Sequence, residues 1–164
     1  KPASPETTSK LYSMILKNEK IIGVHDMIVH SYGPSCTIAS CHVEVKATEN
    51  FVAVHELVDK IERDVLNEMN ILLTIHMDPI DTDDENVQEC KNMILEIIGN
   101  IDNALHIHDF RIVSGEMHTN LIFDLVVPYK TKYSSDEIKA MIDDRLSKFD
   151  HRYFTVITFD TEYI

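Results

Sequence analysis

Residues 21–47 predict a β-hairpin and read IIGVHDMIVHSYGPSCTIASCHVEVKA. Both arms, residues 21–31 and 36–47, are rich in β-branched side chains, and the Tyr32-Gly33-Pro34-Ser35 segment between them is typical of a turn. A helix is predicted before the hairpin, from Ser4-Pro5-Glu6 to about residue 17, because serine caps helices and proline favours the first helical position.

After the hairpin the sequence predicts a second helix and a third strand. One apolar stripe recurs at helical spacing and comprises Val54, Leu57, Val58, Ile61, Val65 and Leu66. A short strand is expected over residues 71–76, before Asp78-Pro79. The first half therefore has the order helix, strand, strand, helix, strand.

The second half repeats this order. The acidic segment Asp81-Thr82-Asp83-Asp84-Glu85 is expected to be a linker and the cap of the next helix. Strands are predicted at residues 105–113, 118–127 and 153–160, with a helix opened by Ser134-Ser135-Asp136-Glu137 between the last two. A tandem duplication explains the pattern, with a first unit at residues 1–80 and a second at 84–164.

Composition limits the function. The chain has 164 residues, 44% hydrophobic and 26% charged, which is typical of a folded globular protein. Its formal net charge of −13 argues against nucleic acid as a partner and favours cations. An odd number of cysteines and the lack of a secretory signal indicate a reducing compartment. No apolar run reaches the length of a membrane helix. The absence of methionine at residue 1 suggests an excerpt of a longer protein.

The nine histidines are the chemical signal. A hairpin that turns about Gly33-Pro34 places His25 directly opposite His42, with Cβ atoms about 4.5–5.5 Å apart. His76 and Asp78 are two residues apart on one strand and therefore share a sheet face. A right-handed crossover brings these residues, and His55 in the first turns of the helix, to the same edge of the sheet.

Four imidazoles and a carboxylate suit Zn²⁺ or a neighbouring ion such as Mn²⁺, Fe²⁺, Co²⁺ or Ni²⁺. A carboxylate can bridge two ions, so Asp78 could be shared, with His25 and His42 on one ion and His55 and His76 on the other. No local motif such as HExxH supports this site, and on the residues alone structural histidines are an equal alternative.

Five separated motifs resemble the cytoplasmic C-terminal domain of the cation diffusion facilitator transporters, in that family's order. They cover about residues 5–80 and are Gly23-Val24-His25-Asp26, His30-Ser31-Tyr32-Gly33-Pro34, Cys41-His42-Val43-Glu44-Val45, Val54-His55-Glu56 and Ile75-His76-Met77-Asp78-Pro79.

The resemblance implies a metallochaperone-like or ferredoxin-like α+β domain with a three-stranded mixed sheet. Together with the repeated element order, this predicts an α+β fold of two tandem αββαβ units, each with two helices on one face of its sheet. The resemblance also implies a non-enzymatic domain on the cytoplasmic side of the cell membrane, attached to a six-helix membrane transport domain. Such domains form homodimers that bind divalent metal, most often Zn²⁺ but also Cd²⁺ and similar ions, and that tighten in response. The implied ligands are His25, His42 and Asp78 at one site, and His55, His76 and the shared Asp78 at the other.

Residues 84–164 resemble an extra C-terminal module of some bacterial members, through His106-Ile107-His108-Asp109-Phe110-Arg111 and Asn120-Leu121-Ile122-Phe123-Asp124. Alignment of the two units puts His108 at His25, Asp124 near His42 and Asp160 at Asp78. A weaker, harder cation site at these three residues is one interpretation. The favoured one is a packing or dimerisation spacer with surface ion pairs.

The leading hypothesis is therefore the regulatory and dimerising domain of a divalent-cation efflux transporter. The first alternative is a metal-dependent hydrolase, since two ions sharing a carboxylate can activate water. Against it, the sequence has no phosphate-binding glycine loop and no separate general base. The second alternative is a small-ligand regulatory module on the same fold.

Overall fold

The computed structural model describes residues 1–162. Its helices and strands follow the predicted order, which confirms the α+β fold of two tandem αββαβ units. The elements are α1 (Pro5–Leu16), β1 (Gly23–Ser31), β2 (Thr37–Lys46), α2 (Phe51–Met69), β3 (Ile71–Ile80), α3 (Asp84–Ile101), β4 (His106–Ser114), β5 (Thr119–Pro128), α4 (Ser135–Leu146) and β6 (Tyr153–Glu162).

The chain divides into two units, Lys1–Pro79 and Ile80–Ile164. Each unit has a hydrophobic core of its own between its helices and one face of its sheet. In the first unit the core includes Leu11 and Ile61 from the helices, with alternate strand residues such as Val43. Successive strand residues point to opposite faces. On β2, Val43 points into the core. Residues an odd number of positions away from it, such as Ile38 and His42, therefore lie on the sheet face that the helices do not cover.

The first sheet has the order β1-β2-β3, and β1 pairs with β2 in antiparallel register. Near the turn Ile28 pairs with Ser40, but further along the strand His25 pairs with His42. The register therefore shifts by one residue at a β-bulge that contains Asp26, whose φ is 52°. At the turn itself Gly33 has a φ of 127°, which explains why glycine occupies that position.

The second sheet has the order β4-β5-β6, with β4 antiparallel and β6 parallel to β5. Its core is centred on Phe123, which is fully buried. A matching bulge lies between His108 and Arg111, and Asp109 within it has a φ of 55°. The two units thus repeat a backbone irregularity as well as an element order.

Helix starts agree with the caps that the sequence indicates. Ser4 accepts a hydrogen bond from the backbone N–H of Thr7, and Ser134 forms a capping box with Glu137. One boundary prediction was wrong: β3 does not end at residue 76 but continues through Asp78 to Ile80. Within residues 1–162, no helix combines the length and apolar character needed to span a membrane.

Candidate metal centre

Two histidines of the first hairpin lie side by side on the face of the sheet opposite the helices. His25 of β1 and His42 of β2 are direct partners in the register, and their ring centroids are 4.8 Å apart. The His25 side chain is largely buried, at 12% exposure, whereas that of His42 is 37% exposed. Of the two imidazoles, His42 is therefore the more accessible from solvent.

Asp78 of β3 joins the pair. Its Oδ2 atom lies 2.8 Å from Nε2 of His25 and 3.2 Å from Nδ1 of His42. Because β3 continues past residue 76, Asp78 keeps the alternation of a strand, and its side chain lies on the same face as His76. The Asp78 side chain is 9% exposed, so its carboxylate is buried among these imidazoles.

His25, His42 and Asp78 each offer one donor atom, and these atoms all lie within 4.8 Å of one another. Imidazole nitrogen and carboxylate oxygen are ligands of Zn²⁺ and of the neighbouring first-row ions, with bonds of about 2.0–2.2 Å. Small side-chain rotations would let one ion contact all three atoms. The donor set and spacing therefore fit a divalent cation.

His76 lies on the other side of the carboxylate. Its Nε2 atom is 3.4 Å from Oδ1 of Asp78, and its ring centroid is 4.6 Å from that of His42. Oδ1 of Asp78 thus faces His76, whereas Oδ2 faces both His25 and His42. This is the arrangement from which a carboxylate can bridge two ions.

His55 stands apart from these residues. It is exposed on α2, whose buried side is formed by Val54, Ile61 and Val65. In the part of the chain that the structure describes, no hydrogen bond, ion pair or ring contact joins His55 to His76 or Asp78. The structure thus brings together His25, His42, His76 and Asp78 but leaves His55 on the helix surface.

The electrostatics favour a charged His25–Asp78 pair in the metal-free protein. The hydrogen bond to Asp78 raises the pKa of His25, although burial opposes it, and the charge of Glu44 adds to the rise. Burial acts to raise the pKa of Asp78, but the His25 hydrogen bond and the neighbouring His42 together hold that pKa below its usual value. A cation bound here would replace the proton of His25.

Two further carboxylates approach His25 and were missed from the sequence. Oε2 of the buried Glu44 lies 3.7 Å from Nε2 of His25, and Oδ2 of Asp26 lies 3.3 Å from its Nδ1. Glu44 could have been found, because it is two residues from His42 and shares its sheet face. Asp26 could not, because in a regular strand it would point away from His25.

The thiol beside the site does not join it. Cys41 is 2% exposed and points into the core, opposite to its neighbour His42. Burial raises the pKa of the Cys41 thiol to about 12, with a smaller contribution from Glu62. The thiol therefore stays protonated at neutral pH and does not compete for a cation.

The second unit carries a different set of side chains at the equivalent place. His108 pairs with Asp124 as His25 pairs with His42, and Asp160 of β6 pairs with Val126 of β5. Burial raises the pKa of Asp124, and the nearby Asp109 and Asp160 raise it further. Among residues 1–162, three or more metal donors converge at one place only, at His25, His42 and Asp78 of the first unit.

Comparison with known proteins finds a family that the first unit matches. Residues 3–80 match the family model of the cation efflux protein cytoplasmic domain. The match covers just under half of the chain and includes every candidate ligand of the first unit. A search of curated proteins finds no match to this chain.

Proposed function

We propose that the first unit, which belongs to the cation efflux cytoplasmic-domain family, is a regulatory sensor of divalent cations. The observation that carries the proposal is the convergence of His25, His42 and Asp78 from three strands onto one small volume. Zn²⁺ suits this nitrogen and oxygen donor set best, and Mn²⁺, Fe²⁺, Co²⁺, Ni²⁺ and Cd²⁺ are weaker candidates. The family is that of a transporter's cytoplasmic domain, which favours a sensor over a hydrolase.

The proposed site holds one ion firmly and a second one conditionally. The first ion is bound by Nε2 of His25, Nδ1 of His42 and Oδ2 of Asp78, which already lie close together. The second ion is bound by Oδ1 of Asp78 and by His76, which lies on the exposed side of the carboxylate. His55 completes this second position only when a rearrangement, or a second copy of the chain, brings it near His76.

Metal binding is proposed to close a homodimer. Each chain carries a formal charge of −13, so two copies repel each other until bound cations offset part of that charge. An ion that binds the closed dimer better than the open one shifts the population toward the closed form, by no more than its difference in affinity. In this proposal the dimer is attached to a six-helix membrane domain, on the cytoplasmic side of the membrane.

The second unit is proposed to be a spacer that supports packing or dimerisation. Near the place of His42 it carries Asp124, which replaces an imidazole by a carboxylate and removes one of the nitrogen ligands that suit Zn²⁺. The alternative is a weak site for a hard cation at His108, Asp124 and Asp160. Titration with Mg²⁺ and Ca²⁺ distinguishes the two, because binding by wild type that is lost in Asp124→Asn would favour the site over the spacer.

The proposed function is tested by titrating the metal-free protein with Zn²⁺ in a calorimeter, and by sedimentation velocity with and without the ion. Wild type should bind and shift toward a compact dimer, whereas Asp78→Asn and His42→Ala should lose most of the binding. The matched control is His30→Ala, which removes an imidazole from the same strand as His25 but lies outside the donor group. Absence of binding by wild type, or equal binding by Asp78→Asn, would overturn the proposal.

A further inference from the structure

The two ring nitrogens of His25 face different carboxylates. Nε2 points to Asp78, at 2.8 Å from Oδ2, and Nδ1 lies 3.3 Å from Oδ2 of Asp26. A histidine that binds a cation through one nitrogen carries its N–H on the other nitrogen, and the partner of that N–H fixes the tautomer and the ring plane. Because Nε2 faces the donor group, Asp26 occupies the place of that partner.

The backbone brings Asp26 to this place. Neighbouring residues of a regular strand point to opposite faces, so an ordinary strand would separate the Asp26 carboxylate from the His25 ring. Here the bulge sets the φ of Asp26 at 52°, in the left-handed region where glycine is the least strained residue. A residue with a carboxylate occupies a position at which the backbone alone favours glycine.

The second unit shows that this bulge does not require a histidine contact. Asp109 occupies the equivalent position with a φ of 55°, and there its carboxylate acts on Asp124 of the facing strand, whose pKa it raises. The same backbone therefore directs its carboxylate to a different partner. This gives a matched control within the same chain.

We infer that Asp26 is a positioning residue for the cation site: its carboxylate accepts the Nδ1–H of His25 and holds Nε2 toward the ion. This inference rests on the proposed function. In the metal-free structure the contact is an ion-pair distance of 3.3 Å between Nδ1 and Oδ2, and the side chain of Asp26 is 54% exposed, so solvent screens its effect on His25. Removal of such a partner typically lowers metal affinity by about 10–100-fold.

The test compares Asp26→Asn and Asp26→Gly with wild type. Asparagine tolerates the left-handed conformation and keeps a neutral acceptor, whereas glycine relieves the backbone and removes the acceptor. Zn²⁺ affinity should therefore fall in the order wild type, Asp26→Asn, Asp26→Gly, with the last about 10–100-fold below the first. In the zinc-loaded protein, solvent exchange of the His25 Nδ1–H, followed by ¹⁵N-edited NMR, should accelerate in the same order.

The control Asp109→Asn should change neither measurement. The melting temperature of metal-free Asp26→Gly should not decrease, which separates positioning from a loss of folding. Equal Zn²⁺ affinity of Asp26→Gly and wild type, or an unchanged Nδ1–H exchange rate, would overturn the inference while leaving the proposed function standing. Failure of wild type to bind Zn²⁺, by contrast, would remove the proposed function itself.

Discussion

Asp78 and His25 join the last and first strands of the first unit through a hydrogen bond of 2.8 Å between Oδ2 and Nε2. The two strands are the outer members of the sheet, since β2 lies between them. Both side chains are mostly buried, at 9% and 12% exposure, so solvent screens their interaction only weakly. The pair therefore has a structural role in the metal-free protein as well as a proposed role in binding.

The pair predicts a pH window for stability. The pKa of Asp78 is lowered in the folded state. The stability that Asp78 contributes is therefore present above about pH 4 and is lost as the pH falls through the folded-state pKa. The pKa of His25 is raised, so its contribution is complete below about pH 6.5 and is lost as the pH rises through the folded-state pKa. The stabilisation is therefore greatest between about pH 4 and 6.5.

Asp78→Asn should lower the free energy of unfolding of the metal-free protein by about 1.5–3 kcal/mol inside this window, and by less at pH 8 and above. Urea denaturation in the presence of a chelator, repeated over a pH series, measures the difference. Asp59→Asn, on the exposed surface of α2, is the control. A difference between wild type and Asp78→Asn that does not depend on pH would contradict the prediction.

Protons should compete with the cation. Binding of an ion to Nε2 of His25 requires loss of its proton, and the hydrogen bond to Asp78 raises the pKa of that group. The rise in melting temperature caused by Zn²⁺ should therefore be large at about pH 7.5 and small at about pH 5.5. Thermal unfolding with and without Zn²⁺ at both values measures it, and an equal rise at both would exclude His25 as a ligand.

His76 and His55 should behave differently. His76 faces Oδ1 of Asp78, so His76→Ala should reduce the number or affinity of bound ions even in a dilute monomer. His55 is exposed on α2, so His55→Ala should leave monomer binding unchanged and weaken only the metal-dependent dimer. Calorimetry at low concentration and sedimentation at high concentration separate these effects. Loss of the monomer's binding in His55→Ala would show that α2 moves toward the site without a partner.

The His25–His42 pairing could be predicted from the sequence, but the β-bulge that produces it could not. Near the turn the register pairs His30 with Ile38, and an uninterrupted hairpin would continue this register to place His25 opposite Val43. The bulge shifts the register by one residue, so that His42 becomes the partner of His25. Nothing in the composition of β1 marks this bulge, because aspartate occupies the left-handed position where glycine would have been a signal.

The element order was easier to predict than the contacts. Helix caps such as Ser4 and Ser134 are local signals, and the structure confirms both helix starts. The contribution of Asp26 depends on a bulge, and the separation of His55 from His76 depends on how α2 packs on the sheet. Both are tertiary effects, which spacing along the chain does not specify.

Asp124→Asn should stabilise the second unit at neutral pH. Burial raises the pKa of Asp124, and Asp109 and Asp160 raise it further, so the ionised form is disfavoured in the folded state. When folding raises the pKa of a carboxyl group, the free energy of unfolding decreases as the pH rises from the pKa of the unfolded state to the pKa of the folded state. The variant should therefore melt at a higher temperature than wild type at pH 7 and at the same temperature at low pH. A lower melting temperature at pH 7 would indicate that Asp124 is stabilised by its neighbour Arg111 instead.

Residues 1–80 should fold and bind Zn²⁺ without the second unit. Among residues 1–162, the cores of the two units have no residue in common, and each contains side chains from both its helices and its sheet. A chain of about 80 residues with such a core is long enough to fold alone, although with a smaller margin of stability. The isolated fragment should unfold cooperatively and match the Zn²⁺ affinity of the full chain at concentrations where both are monomeric. The matched control is the fragment of residues 80–164, which should fold but bind Zn²⁺ far more weakly. If the fragment of residues 1–80 showed no cooperative unfolding transition, the second unit would be needed to support the fold of the first.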